Sequence, residues 1–236
     1  MLVLLGGLAA AVWWHGPPPR SAWRAPVMAR DEFQATTYLP LPLGRRWSYT
    51  GNPSAAVQRL ALVVGRRHTG GGLPRCTEIW KLQGRRVVQT LYWSTDANVG
   101  LLWYGQDDYD DDGRLIGRLR FEPAICIPNG LGPGDVVLEQ GEQTGWQRSW
   151  PSPTVRHYYR TIELLRAELW PAQNPQRRAL IVRMRGTGGA IDPDIWIGWF
   201  AEGLGLVRMG SSADQELRLT GWGNDRLARW TGWLSR

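Results

Sequence analysis

From about residue 31 onward the chain is a succession of short runs in which apolar and polar residues alternate, broken at close intervals by Gly, Pro, Asn and Asp. A two-residue period belongs to strands with one buried face, and turn residues between successive runs place those strands antiparallel to their neighbours. Strands are expected at 46–50, 57–65, 76–84, 85–93, 100–105, 114–122, 135–142 and 144–150. They continue at 155–170, 177–186, 194–203, 205–210 and 215–222. Two hairpins announce themselves through their turns, a Gly in "LQGRR" and the dipeptide Asp112-Gly113. The stretch 155–170 has apolar residues that also fit a helix, but its Tyr, Thr and Ile content favours one long strand or a strand with a bulge. The class that follows is mainly β, a single domain over 31–236 built largely as one large curved antiparallel sheet. At the C-terminus, "NDRLARWTGWLSR" opens on the caps Asn224 and Asp225. It then spaces Leu227, Trp230, Trp233 and Leu234 on one face, the pattern of a short amphipathic helix.

Residues 1–30 differ in texture. Met1 to Trp14 is almost wholly apolar and is followed by a Pro-rich, acid-free linker. Such a run is short for a membrane span of about 20 residues and suits a signal-peptide core. The absence of a basic residue before it, and Arg20, Arg24 and Arg30 after it, equally fit an uncleaved N-terminal anchor. Either way the domain is expected outside the cytoplasm, in the periplasm, extracellular space or at a membrane surface. In that compartment Cys76 and Cys126 are candidates for one disulfide, with two separate buried thiols as the alternative.

The formal charge of +7 raises nucleic-acid binding as a class. The arginines are scattered in pairs among strand ends and turns, with Lys81 the only lysine, and no recognition helix precedes or follows them. Nucleic acid is therefore excluded as the expected partner. Fifteen Trp against three Phe point instead to broad sheet faces or amphipathic ligand platforms.

"DDYDDDG" concentrates acid in this basic chain. With Asp108 at position one, Asp110 and Asp112 fall at three and five and Gly113 at six of a calcium loop. Position twelve is Leu119, so the closing carboxylate is missing, and Asp107, Asp111 or Glu122 would have to replace it. The alternative is a wet hairpin tip balanced by Arg114, Arg118 and Arg120. Asp192, Asp194 and Glu202 near several Trp suggest a sugar-cleaving groove only weakly, because Pro193 between the aspartates reads as a turn. His68 and His157 have no nucleophile motif beside them, and no Cys or His spacing fits a transition-metal site.

Three segments carry a resemblance. They are "YLPLPLGRRWSYTG" with Tyr38, Pro40, Gly44 and Trp47, "FEPAICIPNGLGPGDVV" with Pro123, Pro128, Leu131 and Gly134, and "WFAEGLGLVRMG" with Trp199, Ala201, Gly203, Gly205, Leu206 and Val207. Together they resemble the TapB-like family of bacterial exported β domains, by landmarks spread over residues 36 to 222. The resemblance implies a half-barrel similar to lipoprotein carriers of the LolA type, and no catalytic residue. Trp47 and Trp199 are expected as inward anchors, with the glycines at strand starts and turns. The leading expectation is an exported, non-enzymatic envelope domain acting as a structural or interaction module, without a cofactor unless calcium binds. The alternatives are a carrier of lipid or another apolar ligand on the concave face, and third a glycan-directed hydrolase.

Overall fold

The computed structural model describes residues 31–51, 59–70, 72–169, 177–187, 195–210 and 216–224. The N-terminal apolar segment, the Asp192-Asp194 pair and the amphipathic segment beyond Asn224 lie outside the described residues. After α1 (Ala35–Tyr38), the one helix among the described residues, the chain forms β1 (Arg45–Gly51), β2 (Arg59–Gly70), β3 (Leu73–Gln83), β4 (Arg86–Asp96), β5 (Gly100–Tyr109) and β6 (Leu115–Pro128). The second half supplies β7 (Val136–Gln147), β8 (Thr154–Leu169), β9 (Arg178–Thr187), β10 (Ile195–Ala201), β11 (Gly205–Gly210) and β12 (Leu217–Asn224).

Each strand pairs antiparallel with the next in sequence, and β12 pairs with β1 from Leu217↔Gly51 to Asn224↔Arg45. The sheet is a closed up-and-down barrel, which corrects the half-barrel implied by the resemblance. The reason is local to the two terminal strands: β1 has one edge on β2 and offers the other to β12, so no edge remains for a concave open face. The ambiguous 155–170 run is one long strand, β8, with a register shift between Leu164 and Arg166. The two strands expected at 135–142 and 144–150 are one, β7. Gln143, between the two expected runs, is buried and pairs with Phe121 and Arg156 within the strand, and Gly141 faces inward, where a Cβ would come within 2.6 Å of the Glu122 carbonyl.

Alternation sets the two faces of the wall. Leu60, Leu62, Ile79, Leu91, Leu119, Phe121, Ile162, Leu164, Leu180, Val182 and Phe200 point inward and form one buried cluster. The outer wall carries most of the charge, the reverse of a barrel whose outside contacts lipid. Its buried carboxylates include Glu78 and Asp107. Glu78 accepts from Arg66, His68 and the Trp80 indole, while Asp107 accepts from the Tyr92 hydroxyl, Arg118 and Arg120. Trp199 belongs to this outer side, packed with Ala179, Ala201 and Val207 under the Arg208 guanidinium at 4.2 Å. That corrects its expected role as an inward anchor. Its neighbour Phe200 takes the inward position, and strand alternation cannot place both inside.

One end of the barrel is sealed. Four residues of helix have no stability alone, but Phe33, Ala35, Tyr38 and Leu39 are each buried to 4% exposure or less. Burying a large apolar side chain contributes about 1.5–3 kcal/mol, so this segment is held by packing rather than by helix formation. Asn129 fastens it. Its Oδ1 accepts from the Ala35 amide at 2.8 Å, and its Nδ2 donates to the Asp96 and Ala97 carbonyls at 3.0 and 2.9 Å. The Phe33 amide donates to Leu131, and the Gly203 amide donates to the Thr37 carbonyl. Trp47 donates to the Leu204 carbonyl and lies 3.0 Å from where a Gly205 Cβ would be, while the Tyr49 hydroxyl donates to Leu206. The three segments that carry the family resemblance therefore meet at this seal. Tyr38 stacks on Phe33, Gly44 (φ 80°) turns into β1, and Gly134 (φ 90°) donates to Leu164. The Pro123 carbonyl receives the Tyr158 hydroxyl.

Candidate functional site

Towards the opposite end the interior is not filled. Odd-numbered strands run away from α1, so Lys81 near the end of β3, Gln89 near the start of β4 and Gln106 near the end of β5 all lie far from the seal. They border a cavity of about 270 Å³. Its walls are Leu60 and Leu62 of β2, Leu91 of β4, Leu119 of β6 and Leu206 of β11. Met184, Trp196 and Met209 line it from β9, β10 and β11, and Trp93 and Trp103 from β4 and β5. These are the inward positions of strands from both halves of the chain.

The polar lining consists of Lys81, Gln89, Gln106 and Arg160, and none of the described lining residues is an acid. Arg160, only 3% exposed, occupies an inward position of β8 between Tyr158 and Ile162. Its guanidinium lies 5.2 Å from the Phe121 ring, 5.6 Å from Trp103 and 5.9 Å from Tyr158, so an aromatic layer supports the cation. Burial pushes its pKa down to about 10, which leaves it charged at neutral pH. Burial likewise lowers the Lys81 ammonium, opposed by the charge of Asp108. Lys81 approaches Gln89 Oε1 at 3.5 Å, Gln89 Nε2 donates to Asp108 Oδ1 at 2.6 Å, and Gln106 reaches the same oxygen at 3.5 Å. A polar rim thus sits above an apolar bowl. The Trp93 indole N–H, buried in the lining, has no acceptor among the described residues.

No family model matches this chain, nor does any curated protein or solved structure.

The expected calcium ligands separate. Asp108 belongs to β5 and turns to the glutamines of the rim. Asp110 caps the hairpin by accepting from the Asp112 and Arg114 amides, and Asp112 pairs with Arg114. Asp107 is buried in the outer wall and Asp111 pairs with Arg86. Only Asp110 to Gly113 forms the wet tip. Among the described residues no group of three or more His, Cys, Asp or Glu is placed to hold a metal ion.

The disulfide candidate is also resolved into two free thiols, Cys76 on β3 and Cys126 on β6. Strands β4 and β5 lie between them, which at strand spacing is about 14 Å of sheet against the ~4.4–6.8 Å between Cα atoms that a disulfide spans. Burial raises both, Cys76 to about 11 and Cys126 to about 12, so both are protonated thiols at neutral pH. His68 is bonded to Glu78 and the Gly70 carbonyl on β2, while His157 is exposed on β8. Glu202 is exposed in the β10–β11 turn. These groups do not converge on one site.

Sequence reasoning missed Arg160 and Lys81 as site residues, although both leave a trace. In "VRHYYRTIELL" Arg160 shares a strand face with Tyr158, Ile162 and Leu164, and in "CTEIWKLQG" Lys81 shares one with Ile79. A cation on an otherwise apolar strand face is the signal.

Proposed function

We propose that this chain is an exported envelope barrel that binds an apolar ligand in its interior. The single observation that carries the reading is the cavity: about 270 Å³ of unfilled space behind leucine, methionine and tryptophan walls, at the end of a barrel whose other end is sealed. Protein interiors are otherwise packed to crystal-like density, so a void of this size is retained at a cost in stability. Mostly apolar walls with a few polar groups are the ordinary make-up of small-molecule sites. Export rests on the apolar N-terminal run, and kinship with TapB-like domains rests on the three motif segments that build the seal.

The test is native mass spectrometry of protein purified from its host, followed by organic extraction. A reproducible bound small amphipath supports the reading. Protein that is empty, and that quenches no added aliphatic probe through Trp93, Trp103 or Trp196 fluorescence, refutes it. A structural or interaction module is the second reading, favoured by the exposed Val136, Leu138, Val155 and Tyr159 on the outer faces of β7 and β8. Co-purification of one envelope protein, lost when Leu138 becomes Asp, would support it. Export itself is tested by fusing residues 1–30 to a reporter active only outside the cytoplasm, where a silent reporter refutes it.

A further inference from the structure

Independently of the cavity, we infer that the edge of β7 over residues 136–140 docks an extended basic segment of a partner protein as an added antiparallel strand. The ladder between β6 and β7 runs from Gly117↔Gln147 only to Glu122↔Glu142. Beyond that pair β6 stays with β5, from Trp103↔Ile125 to Gly100↔Pro128, while β7 stays with β8 as far as Val136↔Glu163. The wall is therefore split between 123–128 and 136–141. The last pair fixes which backbone groups face the split. An antiparallel pair is bonded either directly or through its neighbours, and the second arrangement at Glu122↔Glu142 would need an N–H on Pro123, which has none. Glu142 is thus bonded directly to Glu122, and every second residue below it, Gln140, Leu138 and Val136, turns its N–H and C=O to the same side. Among the described residues no strand pairs with them there. The other parity belongs to β8, where the Asp135 carbonyl accepts from the Leu164 amide.

A row of unpaired backbone groups is a template for another strand, and edges kept from pairing carry Lys, Pro or a covering element. This edge carries Val136 at 59% exposure, Leu138 at 65% and an exposed Gln140. The side chains set the partner's pattern. Its outward residues lie directly opposite Val136, Leu138 and Gln140, in bonded pairs, and are apolar. Its inward residues pass Glu139, half-buried on the inner face of β7. The end of the segment meets Glu122 and Glu142, exposed carboxylates set opposite each other, a repulsive pair that a cation relieves. The cations around these acids have other contacts. Arg160 stands opposite Glu139 with its guanidinium over the Phe121 and Trp103 rings, and Arg120, on the same face as Glu122, is bonded to Asp107. His157 stands opposite Glu142.

The probe is the peptide acetyl-KVKVKVK-amide, titrated calorimetrically into the full chain. Its controls are acetyl-EVEVEVE-amide and the lysine peptide N-methylated at its valines, which keeps the side chains and removes the N–H groups that face β7. The lysine peptide should bind at least about tenfold more tightly than either control, the factor that loss of one or two hydrogen bonds gives. Hydrogen exchange should find the Leu138 and Gln140 amides fast in the free protein and slowed at least about tenfold by the peptide, while those of Val137 and Glu139, bonded to β8, stay slow throughout. Gln140→Pro removes an N–H that bonds to no neighbouring strand, so the variant should fold and lose the peptide. If it unfolds, the N-methylated control and the exchange rates decide. Equal binding of the N-methylated peptide, or no binding of the lysine peptide, overturns strand docking. Equal binding of the glutamate peptide overturns the basic partner. Slow exchange at Leu138 in the free protein also overturns the proposal: at every concentration it means that the chain's own segment covers the edge, and alongside a concentration-dependent dimer it means that a second copy does.

Discussion

Replacing Asn129 tests how the sealed end is held. The side chain is 8% exposed and makes three hydrogen bonds, so Asn129→Ala strands the Ala35 amide, on a residue that is 0% exposed, without an acceptor. An unsatisfied buried amide costs about 1–3 kcal/mol. The two carbonyls it served lie in the turn after β4, where Ala97 is exposed and water can replace the lost donor, so they add little. The expected loss is about 2–4 kcal/mol once the removed packing is included. Asn129→Asp makes a sharper test, because it keeps an acceptor for Ala35 but turns a carboxylate oxygen towards two carbonyls. That carboxyl will have a folded pKa above its unfolded value. Its stability is therefore fully present below the unfolded pKa and falls as pH rises through the folded one, so the variant should be closest to wild type in acid. Urea unfolding followed by tryptophan fluorescence at pH 4 and pH 7 measures both, and hydrogen exchange at the Ala35 and Tyr38 amides localises the loss. A cost below about 1 kcal/mol for Asn129→Ala at unchanged m-value refutes the claim that this side chain fastens the seal.

Gly205→Ala should destabilise more than Gly65→Ala, although both add one methyl group. At Gly205 (φ 99°) the new Cβ meets the buried Trp47 ring at 3.0 Å, whereas at Gly65 it displaces Trp80, a half-buried outer side chain that can swing away. Thermal unfolding should show about 2–3 kcal/mol for the first and about 1 kcal/mol for the second, the range of overpacking in rigid and yielding surroundings. The unfolding midpoint should be the same with and without reductant, and both cysteines should alkylate slowly at pH 8 until denatured, because burial holds the thiols up at about 11 and about 12. Glu139, half-buried on β7 with its carboxyl pushed up to about 7 by burial, makes folding less favourable as pH rises. Its contribution is fully present below its unfolded value and is lost through pH 7, so Glu139→Gln should gain on wild type between about pH 4.5 and 7 and hold a constant lead above that, by about 1–2 kcal/mol after solvent screening.

The strands were legible because alternation acts locally. Every apolar residue facing inward on β2, β4 or β9 is two positions from the next, and the turns between them carry Gly or Asp. Closure was not legible, because the pairing of Trp47 with Trp222 joins residues at opposite ends of the chain, and no local pattern records it. The continuity of β7 was hidden for a related reason: Gln143 is polar, and its burial comes from pairing with Phe121 and Arg156 on neighbouring strands. Trp199 misled because a large aromatic residue on a strand suits either face, and only the burial of Phe200 decides between them. The cavity was the least legible feature. Its walls come from β2 to β6 and β8 to β11, and what defines it is space those side chains leave unfilled.

The distribution of polar groups along the barrel axis argues that the two ends have different tasks. At the sealed end, buried polar groups such as Asn129, the Trp47 indole and the Tyr49 hydroxyl each meet a backbone partner, which fixes one arrangement of chain. Around the cavity the polar groups are side chains that can reorient: an ammonium on a flexible stem, two amides and a guanidinium lying on aromatic faces. On the outer wall, Glu78 and Asp107 are surrounded by donors and committed to the sheet. A barrel that needed its interior only for stability would gain by filling the space beside Leu60, Leu91 and Met184 with larger apolar side chains, at ~24 cal/mol for each Å³ of void removed. Lys81 and Arg160 instead border that space with polar side chains, so this part of the interior is not arranged for apolar packing alone.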